Sequence, residues 1–121
     1  MTVRSKAIRW LAAHKAPAGH PVTSKFYLPE ESWTKARAWW VQIPAAAIRQ
    51  NAVIHILCEA KPGSQSFRWL QVPDGFFRDH LDDFATIGDN KISLFLSAEP
   101  GEEFVDQRGS GRISFAKFAR D

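Results

Sequence analysis

The sequence predicts an α+β fold: a small, strongly curved, mostly antiparallel sheet or pseudobarrel, with an N-terminal helix and short helices after strands. Three observations lead there. The first is a near-repeat. Trp40-Val41-Gln42-Ile43-Pro44 runs into Ala45 to Arg49, and twenty-nine residues later Trp69-Leu70-Gln71-Val72-Pro73 runs into Asp74 to Arg78. Trp, Gln, Pro and Arg recur in register. Each copy reads as a strand stopped by a proline, which cannot donate to a ladder and whose fixed φ suits the first turn of a helix. The second is the β-branched and aromatic content of segments 37–43, 52–60, 66–72 and 91–98, which predicts at least four strands. The third is a length. The element order from residue 37 matches a ferredoxin-like split βαβ fold. Pro44 to Asn51 spans only eight positions, however, and a parallel crossover needs about a dozen or more.

Taken in order, residues 3–15 predict a helix, with Thr2 as N-cap and Ala7, Ile8, Leu11 and Trp10 as its apolar stripe among Arg4, Lys6, Arg9 and Lys15. Ala16 to Ser24, with Pro17, Gly19 and Pro21, reads as a loop. Lys25 to Leu28 is a short strand, and Pro29 to Ser32 a turn. Arg37 to Ile43 is a strand on which Trp39 and Trp40 face opposite sides. Ala45 to Gln50 is a short helix. In the strand Ala52 to Ala60, Ile54, Ile56 and Cys58 face one way and Val53, His55 and Leu57 the other. Both faces are apolar, so the strand should be central. Residues 61–65 read as a hairpin turn into the strand 66–72. Asp74 to Phe84 is a helix carrying Phe76, Phe77, Leu81 and Phe84, Gly88 to Asn90 a turn, and Lys91 to Ala98 a strand.

The chain of 121 residues is expected to form one domain, with a basic helix and loop over 1–24 and a sheet-rich body over 25–121. That length buries about two thirds of the unfolded surface without disulfides or metals. The single Cys58 cannot pair internally, which fits a reducing compartment. Arg4, Lys6 and Arg9 interrupt the first apolar stretch, and no run is long enough to span a bilayer. The expectation is a soluble, cytoplasmic protein with no membrane partner. Its charge is uneven. Residues 1–50 hold eight Lys/Arg against Glu30 and Glu31, net +6, whereas residues 51–121 hold eight against eleven Asp/Glu, net −3. A basic half of this kind suits a polyanion or an acidic protein partner. Attraction between the two halves would account for it equally.

Arg108-Gly109-Ser110-Gly111-Arg112 offers two glycines for close backbone approach, two guanidiniums for phosphate oxygens, and successive N–H groups able to form an anion nest. Pairing of Arg108 with Asp106 or with Glu102 and Glu103 is the structural alternative. The loop lacks the Lys-Ser/Thr ending of a nucleotide P-loop. Glu59-Ala60-Lys61 has the Glu-x-Lys form used by metal-dependent nucleases, but its only upstream carboxylates are Glu30 and Glu31. His14, His20, His55 and His80 lack zinc spacing. Cys58 in a core strand behaves as a small apolar residue. Asp79, Asp82 and Asp83 read as a solvated acidic face. Whichever of Trp39 and Trp40 faces outward, beside Arg37, would stack on a base or mark a partner surface. Packing beneath helix 3–15 is the alternative.

Val41 to Arg49 resembles the strand, Ile-Pro, short-helix element of AbrB-type transcription regulators. Phe67 to Phe77 is similar to the equivalent element of plant-type DNA-binding pseudobarrels, which also serve some restriction enzymes as target-recognition domains. The resemblance covers about ten residues in each copy, and it implies a small barrel presenting loops to DNA. It carries over no contact residue.

The expectation is therefore a DNA-binding recognition or accessory module of a defence or regulatory system, non-enzymatic and with no cofactor or metal. Its contacts would come from Arg4, Lys6, Arg9, Lys35, Arg37, Arg108 and Arg112. The alternatives are a domain that binds an acidic protein and a metal-dependent nuclease using Glu59 and Lys61.

Overall fold

The first copy of the repeat leaves one sheet and enters another, and the second copy makes the reverse journey. The computed structural model describes residues 3–28, 30, 37–50, 52–59, 67–88 and 90–120. Helix α1 (Val3–Ala13) precedes β1 (His20–Thr23), β2 (Lys25–Tyr27), β3 (Ala38–Pro44), α2 (Ala45–Gln50), β4 (Val53–Glu59), β5 (Phe67–Pro73), α3 (Asp74–Asp79), β6 (Ala85–Ile87), β7 (Lys91–Ser97) and β8 (Ala119–Arg120). One sheet has the order β1-β4-β5-β8 and the other β2-β3-β7-β6. The strand pairs are antiparallel apart from β1 with β4. The α+β class, the N-terminal helix and the helices after strands are as expected. The single curled sheet or pseudobarrel is corrected to two sheets, neither closed nor strongly curled. The short helices explain the partition: each redirects the chain from one sheet to the other.

The exchange preserves register. Ile43 lies opposite Ile92, as Val72 lies opposite Ile54. Trp40 faces Phe95 as Trp69 faces Leu57, and Pro44 ends against Lys91 as Pro73 ends against Val53. Each proline leaves the next N–H to close the corner. Ala45 N–H donates to the Asn90 carbonyl at 2.7 Å, and Asp74 N–H to the Ala52 carbonyl at 2.9 Å. The indoles repeat as well. Trp40 Nε1 donates to Ser93 Oγ at 2.9 Å and Trp69 Nε1 to His55 Nδ1 at 3.0 Å. Ser93 and His55 occupy matching register positions, opposite Gln42 and Gln71.

The inner faces of the two sheets form one core. Val41, Ile43, Ile54, Ile56, Cys58, Leu70, Val72, Ile92, Leu94 and Leu96 line it, and Phe77, Phe84, Phe104 and Phe115 fill it from the connections. Burying each such aliphatic or aromatic side chain contributes about 1.5–3 kcal/mol. A second cluster lies on the outer face of the first sheet, where Ala7 and Leu11 of α1 cover Leu57, Phe67 and Trp69. Trp10 meets Trp69 edge to face at 5.7 Å. The loop after α1 is stapled there too: His55 Nε2 bonds the Pro17 carbonyl at 2.8 Å. Gly19 passes so close to β4 that a Cβ would sit 2.6 Å from the Val53 carbonyl oxygen.

Several element boundaries differ from the sequence expectation. His20 to Thr23, read as loop, is β1, whose Pro21 is tolerated because the strand is an edge. The helix expected over 74–84 ends at Asp79 and resumes as a 3₁₀ turn over Leu81–Asp83, before the unexpected β6. β4 is central, between β1 and β5, as its two apolar faces required. The turn 61–65 and most of 29–32 lie outside the described residues.

Candidate functional site

The outward face of β3 borders an open groove. On β3 the inward side chains are Trp39, Val41 and Ile43. Trp39 is 3% exposed and donates Nε1–H to the Glu59 carbonyl at 2.8 Å. Its neighbour Trp40 points outward and is half-buried. Lys25 of β2 lies directly opposite Trp40, and on the other side Phe95 of β7 does. Tyr27 adds its ring to this row, 6.3 Å from Trp40 and 5.7 Å from Phe95. The Lys25 ammonium leans over the Tyr27 ring at 5.2 Å. Outward Trp40 is thus held by β2 and β7, while the indole covered by helix α1 is Trp69.

The groove beside this row has a volume of about 410 Å³ and is lined by Arg4, His20, Thr23, Lys25, Trp40 and Gln42, among others, with no carboxylate among the described residues of its wall. It forms where the chain steps from β1 in one sheet to β2 in the other, a step held by Ser24 N–H donating to the Leu57 carbonyl at 3.1 Å. Arg4 reaches it from α1, with Nη1 donating to the Pro21 carbonyl at 3.2 Å. Burial, and then the Arg4 charge, hold the His20 imidazole below its ordinary pKa of 6.5. At neutral pH the groove's positive charge therefore comes from Arg4 and Lys25. Ser24 also lines the groove. Its buried hydroxyl lies beside the Cys58 thiol, a weak partner, and among the described residues no stronger one reaches it.

The seven predicted contact residues do not gather in one place. Arg4 reaches the groove, and Lys6 and Arg9 lie elsewhere on α1, half-buried and exposed respectively. Lys35 lies outside the described residues. Arg37 is engaged by Glu99 through Nε at 3.1 Å, Nη2 at 3.3 Å and its backbone N–H at 2.8 Å. That pairing holds the Glu99 carboxyl below its usual range and raises Arg37. Sequence reasoning left Lys25, His20, Thr23 and Gln42 out of the contact set. Only the alternation of Lys25 and Tyr27 on one face of a short strand signalled any of them.

The Arg-Gly-Ser-Gly-Arg loop is built differently from an open anion nest. Its first two amides are already occupied by a carboxylate from the same chain, and those of Gly111 and Arg112 by the Asp83 and Gly109 carbonyls. Asp106 accepts hydrogen bonds from the N–H groups of Phe95 at 3.0 Å and of Arg108 and Gly109 at 3.1 Å each. Burial pushes the Asp106 carboxyl above its ordinary range, against the pull of those three bonds. The glycines serve packing: a Cβ on Gly109 would sit 2.2 Å from the Asp83 carbonyl oxygen, and one on Gly111 2.5 Å from Asp83 Cβ. Arg108 and Arg112 themselves are exposed.

The remaining candidates are scattered. Glu59 is buried on β4, whereas Ala60 and Lys61 lie outside the described residues. Among the described residues no group of three His, Cys, Asp or Glu is placed to hold a metal ion. Cys58 is fully buried, and its thiol is pushed up to about 12. His14 stacks on Trp10 at 3.7 Å, and His80 pairs with Asp83 at 3.1 Å. Among the described residues no helix is long and apolar enough to cross a membrane. Comparison with known protein families, curated protein sequences and solved structures finds no match.

Proposed function

We propose that this protein is a non-enzymatic DNA-binding module, a recognition or accessory unit of a defence or regulatory system. The supporting observation is the groove beside Trp40, where Arg4 and Lys25 flank an outward indole and no carboxylate opposes them among the described residues. Phosphates would lie against the two cations, with Thr23 and Gln42 as neutral hydrogen-bonding groups, and Trp40 offers a stacking face. Arg108 and Arg112 are exposed and do not line this groove.

A mobility-shift assay with random-sequence DNA at about 50 mM salt tests the reading, because phosphate contacts are strongest there. The expected result is a shift that weakens as salt rises, is lost in the Arg4→Ala/Lys25→Ala double variant and persists in Arg112→Ala. Absence of any shift at that salt removes the proposal. One observation favours an acidic protein partner instead: Ile8 is 47% exposed on α1 between Arg4 and Arg9. Ile8→Ala should leave DNA binding intact.

A further inference from the structure

The arginines that end the two repeat copies meet at one cleft. Arg49 closes α2 and Arg78 closes α3, at matching positions of the repeat. Both line a cleft of about 410 Å³, together with Lys91, Ile48, Leu81 and Ile92. Lys91 stands opposite Pro44 in the ladder, so the strand exchange itself carries the third cation there.

The copies differ in how they treat their arginine. Asp74, the first residue of α3, forms an ion pair with Arg78. The matching position of α2 is Ala45, which lines the same cleft and offers no carboxylate. Among the described residues neither Arg49 nor Lys91 is in an ion pair. Among the described residues three cations thus face one carboxylate, leaving about two positive charges over an apolar wall. That wall includes Leu81, which is 49% exposed. A small-molecule site typically joins an apolar surface of this kind to a few convergent polar groups, in volumes of about 300–1,000 Å³.

We propose that this cleft binds a small organic phosphate: a phosphate monoester on a compact apolar or aromatic body. A monoester carries about −1.5 to −2 at neutral pH, which matches the unbalanced charge. Guanidiniums suit its oxygens through forked hydrogen bonds. The body would cover Ile48, Leu81 and Ile92. This site is separate from the groove beside Trp40, and the proposal does not depend on DNA binding.

The test is calorimetric titration of the whole protein with α-naphthyl phosphate, alongside inorganic phosphate and α-naphthol. The expected result is saturable binding of α-naphthyl phosphate at least about tenfold tighter than either fragment. Arg49→Ala and Lys91→Ala should each weaken it several-fold, and Arg49→Ala/Arg78→Ala should abolish it. Leu81→Ala should weaken α-naphthyl phosphate while leaving the weak affinity for inorganic phosphate unchanged. Arg4→Ala/Lys25→Ala should leave it unchanged. Equal affinity for the ester and inorganic phosphate, or full binding by the Arg49→Ala/Arg78→Ala variant, would overturn the proposal. Circular dichroism confirms that the variants fold. If the double variant does not, the charge reversal Arg49→Glu on the exposed end of α2 decides the same question: loss of binding supports the site, and retention overturns it.

Discussion

The two Trp-Gln-Pro units share a register, a closing amide bond and an indole hydrogen bond, yet their outer faces meet different fates. Helix α1 lies over Trp69, and the acceptor of that indole, His55, is buried and bonded on its other side to Pro17. Trp40 carries no such helix. Its acceptor is the small Ser93, and its flank opens on the groove. The same local solution therefore supports a closed packing site in one copy and an available surface in the other. The cover of one copy also equips the other, because Arg4 projects from α1 into the groove beside Trp40. Sequence identity between the copies marks what the corner requires; their differing surroundings mark where function has room.

The largest effect should separate the two tryptophans. Trp69→Ala empties a packed site and strips His55 of its donor, and should destabilise the fold by about 3–5 kcal/mol in chemical denaturation. Trp40→Ala removes a half-buried ring and should cost about 1–2 kcal/mol, while weakening DNA binding by the ~1–3 kcal/mol typical of a stacked base. Equal losses of stability would break the comparison.

A smaller difference should separate the two acceptors. His55→Ala leaves the buried Trp69 indole N–H unpaired, at about 1–3 kcal/mol, and also releases the carbonyl of exposed Pro17 from its bond to the sheet. Ser93→Ala strands only one donor, beside the groove, for about 1 kcal/mol. Denaturation midpoints of the two variants check this order. Limited proteolysis within residues 14–19 should accelerate in His55→Ala alone.

The smallest effect is a pH dependence of the groove. The His20 pKa is depressed in the folded state, so as pH falls below 6.5 the unfolded chain takes up the proton first and stability declines. Protonated His20 adds a cation to the groove, so DNA affinity should rise over the same window. His20→Gln should flatten both trends in paired denaturation and mobility-shift measurements. A DNA affinity that does not change below 6.5 would place the bound phosphates away from His20.

The residues show why some of this was legible in the sequence. Local alternation reveals a strand and its faces, so central β4 and the opposed Trp39 and Trp40 could be read directly. It does not reveal a partner. Ile43 pairs with Ile92 rather than with its neighbour β4, and that choice separates two sheets from one curved sheet. The groove was hidden for the same reason, since the Lys25–Trp40 juxtaposition exists only once β2 and β3 are in register. β1 was masked by Gly19 and Pro21, which signal a loop until the chain is seen to run along an edge. Asp106 was legible as a partner of Arg108, but through its guanidinium; an aspartate two and three residues before free amides commonly caps the backbone itself, as Asp106 does here.

Because each repeat copy pairs its first strand with the last strand of the other, neither half is complete alone. On the ribosome, β3 emerges long before β7, its long antiparallel partner. The three residues of β2 cover only its first positions in the meantime. Roughly fifty further residues must be made before β7 appears, which at about 5–20 residues per second is a wait of ~3–10 s. During that interval an apolar strand with an open edge is a target for chaperones and for pairing with other nascent chains. Splitting the gene between the copies should yield two insoluble fragments that become soluble only when made together.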